Sequence, residues 1–191
     1  DGQLLPEAVA GIPDVHYVGQ GGLFDVVLHP NFSENRWVYI SYAKAVEDTS
    51  TTAIIRGRFE NDQLSNVVEI FAAQATGFGH YGGKIAFDDD GYLFLSLGDR
   101  QAPSVGVLTE HPAQDPTNHQ GVIVRLNEDG SVPDDNPFVG QAGFLPEIWS
   151  YGHRSPQGLA IHPETGDLWE TEHGPQGGDE LNRIEPGNNY G

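Results

Sequence analysis

Gly83-Lys84-Ile85-Ala86-Phe87-Asp88-Asp89-Asp90-Gly91-Tyr92-Leu93-Phe94-Leu95-Ser96-Leu97 reads as two strands joined across a polar turn. The apolar runs are short, rich in aromatic and aliphatic residues, and bounded by Gly and Asp, which is a hairpin pattern. The three consecutive carboxylates are contiguous rather than alternating, so they read as the turn and not as a cation loop. The same pattern occurs twice more. It runs through Gly22-Leu23-Phe24-Asp25-Val26-Val27-Leu28-His29-Pro30 into Trp37-Val38-Tyr39-Ile40-Ser41-Tyr42, and through Gly158-Leu159-Ala160-Ile161-His162-Pro163 into Asp167-Leu168-Trp169-Glu170-Thr171. Near-continuous apolar strands of this kind fit strands buried on both faces.

Outward from each hairpin lie further strands. Ala53 to Phe59 and Val67 to Phe71 follow the first, Val122 to Leu126 and Glu147 to Tyr151 follow the second, and Glu180 to Ile184 follows the third. The repeat is longer than the ~40–50 residues of common propeller repeats. The excess falls in Gly98–Gln120 and Asp129–Leu145, polar loops of the kind that carry binding sites on a rigid scaffold. The fold class is therefore all-β, a β-propeller segment of about three four-stranded blades. Residues 1–191 divide into a lone outer strand within Ala8–Val18, two complete blades, and a last blade lacking its outer strand. No stretch has the length and 3.6-residue period of an ordinary helix.

Composition narrows the function. The 191 residues carry a formal net charge of -19, with nine Lys and Arg against 28 Asp and Glu, so no basic stripe exists to neutralise nucleic-acid phosphates. There is no apolar run of the ~18 residues a membrane helix needs. The absence of Cys removes disulfides and thiolate metal sites. The chain also lacks Met and opens on Asp1-Gly2-Gln3, which reads as a processed or truncated product. No Gly-x-Gly-x-x-Gly and no phosphate loop is present. His111 and His119 have no recognisable zinc spacing.

Blades that leave two apolar flanks uncovered need neighbours. One expected solution is a homodimer in which the strand around Ala8–Ile12 closes the unfinished blade of a partner, giving a six-bladed ring with two-fold symmetry. The other is a longer polypeptide that supplies the missing half.

Three polar segments stand directly before the first strand of each hairpin: Gln20-Gly21-Gly22, His80-Tyr81-Gly82-Gly83 and Gly152-His153-Arg154-Ser155-Pro156-Gln157-Gly158. Equivalent positions of successive propeller blades converge at one end of the channel, so Gln20, His80 and Arg154 are expected to face a common space. Histidine can act as a base near neutral pH, and arginine can stabilise developing negative charge. A second cluster is Glu172-His173-Gly174-Pro175-Gln176-Gly177-Gly178-Asp179-Glu180, a glycine-rich loop whose oxygens suit a hard cation such as calcium.

With Gly19-Gln20-Gly21-Gly22-Leu23-Phe24-Asp25-Val26-Val27-Leu28-His29-Pro30-Asn31-Phe32, His80-Tyr81-Gly82-Gly83-Lys84, Gly152 to Leu159 and Glu172-His173-Gly174-Pro175, the chain resembles the soluble glucose/sorbosone and aldose sugar dehydrogenases that depend on pyrroloquinoline quinone (PQQ). The resemblance implies a six-bladed propeller of roughly twice this length, with PQQ flat at the channel mouth beside calcium. It implies oxidation of an aldose sugar at C1 by hydride transfer to the quinone. His80 matches the base, Gln20 a residue contacting substrate or cofactor, and Arg154 the arginine beside the quinone oxygen. Ser155 stands in the cofactor-contacting position where Asn is common. Gly174 and Pro175 match carbonyl ligands of the cofactor's calcium, and Asp179 and Glu180 an acidic pair near further calcium sites. Gly79 stands where glucose-oxidising members carry an acid. The resemblance also implies a periplasmic or secreted protein and leaves the sugar and the electron acceptor open. The competing readings are a catalytically silent propeller segment that binds sugar or protein or serves as scaffold, and a calcium-dependent sugar-lactone hydrolase. The second needs several carboxylates converging on a metal where this chain places Gln, His and Arg.

Overall fold

The computed structural model describes residues 2, 4 and 6–191. Three antiparallel sheets follow one another along the chain. The first holds β1 (Leu23–Leu28), β2 (Trp37–Val46), β3 (Thr49–Glu60) and β4 (Gln63–Ala72) in that order. The second holds β5 (Ile85–Phe87), β6 (Leu93–Leu97), β7 (Val122–Leu126) and β8 (Ile148–Tyr151), and the third β9 (Pro156–Ile161), β10 (Leu168–Glu172) and β11 (Glu180–Ile184). The first strands of the three sheets lie side by side, β1 against β5 and β5 against β9, as in blades arranged around a channel. The one α-helix among the described residues, α1 (Phe32–Asn35), is a single turn between β1 and β2.

Strand alternation builds the core. Tyr39 and Ile54 of the first blade meet Leu93, Leu95, Leu97, Val122, Val124 and Leu126 of the second. The intervening residues of the second blade, Phe94 and Ile123, turn the other way and meet Leu168 and Ile184 of the third. Each blade is thus held by its neighbour. Fully burying one such aliphatic side chain is worth roughly 1.5–3 kcal/mol.

The outer flank of the first blade is different. Leu23, Val26 and Leu28 are 54%, 59% and 53% exposed. Residues 8–18, expected as an outer strand, form none. They make one parallel bridge, Ala10 to Gln63, and lay Val9, Ile12 and Val15 over Val38, Ile40 and Leu64 of their own blade. Gly11 sits so close to the Leu64 carbonyl that a Cβ there would lie 2.4 Å from the oxygen, which explains the glycine. A segment already docked on its own first blade does not present the strand that was expected to complete a partner's third.

Antiparallel order sorts the connections by end. The upper end, where β1, β5 and β9 begin, collects residues 18–22, 73–84, 98–121, 152–155 and 173–179. The lower end collects residues 29–36, 61–62, 88–92, 127–147 and 162–167, while the β2–β3 turn at 47–48 lies at the upper end. Of the two long loops expected to carry binding residues, only 98–121 reaches the upper end.

Candidate active site

The upper end of β3 is polar where its middle is apolar. Ser50, Thr51 and Thr52 are buried, and their hydroxyls receive the loop 73–83. Thr51 donates to the Ala73 and Ala75 carbonyls at 2.8 and 2.7 Å, Thr52 to the Tyr81 carbonyl at 3.0 Å, and Ser50 meets the Tyr81 hydroxyl at 2.6 Å. From β2, Ser41 donates to the Gly83 carbonyl. Apolar side chains on β3 could not pin the loop in this way, because each buried carbonyl needs a donor.

This scaffold holds His80 in a left-handed conformation with φ of 42°. Such a backbone costs a non-glycine residue energy and persists only where its surroundings impose it. They do so from three sides. The His80 N–H donates to Gln20 Oε1 at 2.8 Å, and the Gln20 N–H donates to the Phe78 carbonyl at 3.1 Å. The Arg100 guanidinium, packed over the Tyr81 ring, donates to the His80 carbonyl at 3.3 Å. Burial pulls the Arg100 pKa down to about 10. Finally, Gly98 passes so near that a Cβ there would lie 2.1 Å from the His80 oxygen.

Asp99, fully buried at the end of β6, accepts from His80 Nδ1 at 2.6 Å. A carboxylate can only accept, so in the neutral imidazole Nδ1 carries the proton and Nε2 the lone pair. The second Asp99 oxygen lies 3.7 Å from His111 Nε2, so His111 belongs to this site although its sequence spacing suggested nothing. The Asp99 N–H donates to the Arg154 carbonyl at 2.9 Å, tying the second blade's carboxylate to the third blade's arginine.

Arg154 is set from β10. Glu172 is buried, and one of its oxygens accepts the N–H groups of Arg154 and Ser155. The Arg154 guanidinium donates to the His173 carbonyl at 2.8 Å, while its Nε is buried without a partner. Two adjoining hollows share His80. One is lined by Gln20, His80, Ser155, Gln157 and His173, the other by His80, Gln101, Arg154, Pro175 and Gln176. Gln20, His80, Arg154 and Ser155 therefore meet at one end, with His80 in the middle. Gln101 fills the space beside Gly79, where a Cβ would lie 2.3 Å from its side-chain carbon.

Gly174 and Pro175 line a third hollow with Arg154, Glu172 and Glu180. Their loop turns tightly: a Cβ on Gly174 would lie 2.3 and 2.4 Å from the carbonyl oxygens of Gly177 and Gly178. Asp179 closes it by accepting the Gly174 N–H at 3.0 Å. Asp179 is thus engaged in shaping the loop, and Glu180 accepts from Asn182 at 3.0 Å.

The chain belongs to the glucose/sorbosone dehydrogenase family, whose sequence pattern it matches over residues 1–191. It is 44% identical over 198 residues to the aldose sugar dehydrogenase of Escherichia coli (strain K12), covering 100% of this chain and 51% of that protein. It is 33% identical over 193 residues to the quinoprotein glucose dehydrogenase B of Acinetobacter calcoaceticus, covering 91% of this chain and 40% of that one. The PQQ-bound aldose sugar dehydrogenase of Streptomyces coelicolor superposes with a TM-score of 0.81 at 31% identity, over 96% of this chain and 51% of that one. The chain spans about half the length of these dehydrogenases.

Sequence reading did not single out Asp99 or Arg100, set His111 aside, and gave Glu172 no role of its own. The signal for Asp99 and Arg100 was their place just beyond a short, mostly apolar strand, Leu93–Leu97, where two charges need partners if they are buried.

Proposed function

We propose that these three blades are the part of a PQQ-dependent aldose sugar dehydrogenase that holds the base, the quinone-facing arginine and the calcium-binding carbonyls. The observation that carries this reading is the His80–Asp99 pair, placed at the same mouth as Arg154 and Pro175. A scaffold or a simple sugar-binding surface has no need of an imidazole oriented by a buried carboxylate.

The residues suit both groups. The carbonyl oxygens at Gly174 and Pro175 are hard donors, which calcium prefers. The buried, unpartnered Nε of Arg154 and its exposed fork suit an anionic or carbonyl oxygen. When bound, PQQ supplies the hydride acceptor, and calcium supplies a Lewis acid beside it.

The chain's own residues do the rest. His80 Nε2 takes the anomeric hydroxyl proton as hydride departs from C1, so the aldose becomes a lactone. Asp99 stabilises the imidazolium that results. Arg154 presents fixed positive charge where negative charge develops, which avoids reorganisation during the reaction. Gln20 uses its carbonyl on the His80 N–H and leaves its amide NH₂ toward the hollow for a sugar hydroxyl. Gln101, lying beside Gly79, puts an uncharged amide next to the base.

The open flank of the first blade is the surface where the ring continues. Further blades of the same polypeptide are the assembly we favour, and a homodimer of two such segments is the second. An extracytoplasmic location, periplasmic or secreted, belongs to the same reading through the family likeness. No helix among the described residues is long and apolar enough to cross a membrane.

The test is dye reduction by the full-length protein with PQQ, calcium and a panel of aldoses. Turnover that needs both additions supports the reading. No turnover with any aldose, despite demonstrated PQQ binding, overturns it.

A further inference from the structure

Beneath Arg154, the third blade buries a group of side chains that touch neither sugar nor quinone in the proposed reaction, though Glu172 among them positions Arg154. Glu170 and Glu172 are two residues apart on β10, so both project from the same face as Leu168, toward the second blade. His153, in the connection between the two blades, meets them there. All three residues are at most 5% exposed. One donor atom from each lies within 4.8 Å of the others, and His153 Nδ1 is 3.5 Å from Glu172 Oε1.

Among the described residues, no Lys or Arg side chain pairs with either carboxylate. Glu172 has only the two backbone N–H groups of residues 154 and 155, and Glu170 only Asn182 at 3.4 Å. His153 Nδ1 and Glu170 Oε1 are buried with no hydrogen-bond partner at all. Buried polar atoms without partners are costly, and two of them converging on one point leave a place for a bound ligand.

We propose that His153, Glu170 and Glu172 bind a zinc-class divalent cation at the interface of the second and third blades. An imidazole with two carboxylates is a donor set for zinc and its neighbours rather than for calcium, which takes oxygen. Zn–N and Zn–O bonds of ~2.0–2.1 Å place tetrahedral ligands about 3.3 Å apart, close to the His153–Glu172 separation. The far end of each ligand is already held. His153 Nε2 bonds Ser150 Oγ at 2.9 Å, which leaves Nδ1 for the metal. Glu172 is held by the 154–155 backbone and Glu170 by Asn182. His153 and Glu172 also line the hollow next to Gly174, which gives the ion a path and leaves a fourth position for water. The site's donors are side chains, unlike the Gly174 and Pro175 carbonyls that line the same hollow. Its consequence is structural: Glu172 positions Arg154 and Ser155 through one oxygen, and the cation braces the other.

The experiment is zinc binding to the chelator-stripped full-length protein, by calorimetry and metal analysis, in excess calcium and without PQQ. The expected result is one calcium-resistant equivalent, with cobalt substitution giving visible bands of low coordination number. Glu170→Gln, which keeps size and shape, should weaken zinc at least about tenfold, and His153→Gln likewise. Absence of calcium-resistant zinc binding in the unaltered protein, or unchanged affinity in Glu170→Gln, overturns the proposal and leaves a cluster that holds only a proton. Because no turnover is read, this outcome is independent of the assigned activity.

Discussion

Two loops meet at the upper end of the channel, and they are built in opposite ways. The loop 73–83 is held by buried hydroxyls from Ser50, Thr51 and Thr52, by Gln20, by Arg100 and by the Asp99 carboxylate. The loop 173–179 is mostly exposed and is held chiefly by Asp179 on the Gly174 N–H and by Arg154 on the His173 carbonyl. The first presents a side chain whose position must be right before any ligand arrives. The second presents carbonyl oxygens, which a cation can gather as it binds. In the proposed reading, preorganisation is concentrated where a fixed proton acceptor is needed and relaxed where cation binding would itself supply the order.

The harshest challenge to this contrast is Gly98→Ala. The added methyl collides with the His80 carbonyl, so the first loop must move. The expected cost is ~1–3 kcal/mol of stability by denaturant titration, with loss of sugar oxidation beyond what the stability change explains. Ordinary stability and turnover in the Gly98→Ala variant would mean that the loop is not over-determined.

Asp99→Asn keeps the size of the side chain but removes its charge and lets the amide select the wrong tautomer of His80. Turnover should fall on the order of 10²-fold, with the sugar KM little changed. A matching change in Asp179 should do less. Asp179→Ala frees the Gly174 N–H without removing a carbonyl ligand, so calcium affinity measured by calorimetry should drop about tenfold and no more. Abolition of calcium binding would place Asp179 on the ion itself.

A gentler perturbation lies in the neighbouring loop 98–121. Asp115 is held below the ordinary carboxylate pKa by the Thr117 hydroxyl and N–H. Its folded value is depressed, so its contribution to stability is present above the unfolded value and is lost as pH falls through the folded one. Thr117→Val should raise the Asp115 pKa in an NMR titration and leave turnover near neutral pH unchanged. No movement of Asp115 would remove the hydroxyl as the cause.

The contrast also explains what could be read in advance. Gln20, His80 and Arg154 were legible because they occupy one phase of a repeat, and a propeller brings equal phases together. Asp99 occupies no repeated phase. Its role depends on a 2.6 Å contact that only the tertiary structure shows. Glu170 and Glu172 show strand alternation, but their shared partner, His153, comes from another element. Residues 8–18 have enough apolar residues for a strand, yet they pair at a single bridge and lay Val9, Ile12 and Val15 over the first blade instead. Residues 129–145 join β7 to β8 at the lower end, as the count of antiparallel strands requires, away from His80 and Arg154.

Everything proposed for the upper end turns on His80 being the proton acceptor, held ready by the first loop. The decisive experiment is the turnover of His80→Ala in the full-length protein with saturating PQQ and calcium, beside its far-UV spectrum and melting curve. The expected result is a fall of ~10²–10⁴-fold with the fold and calcium binding intact. Turnover close to that of the unaltered protein would contradict the role assigned to His80.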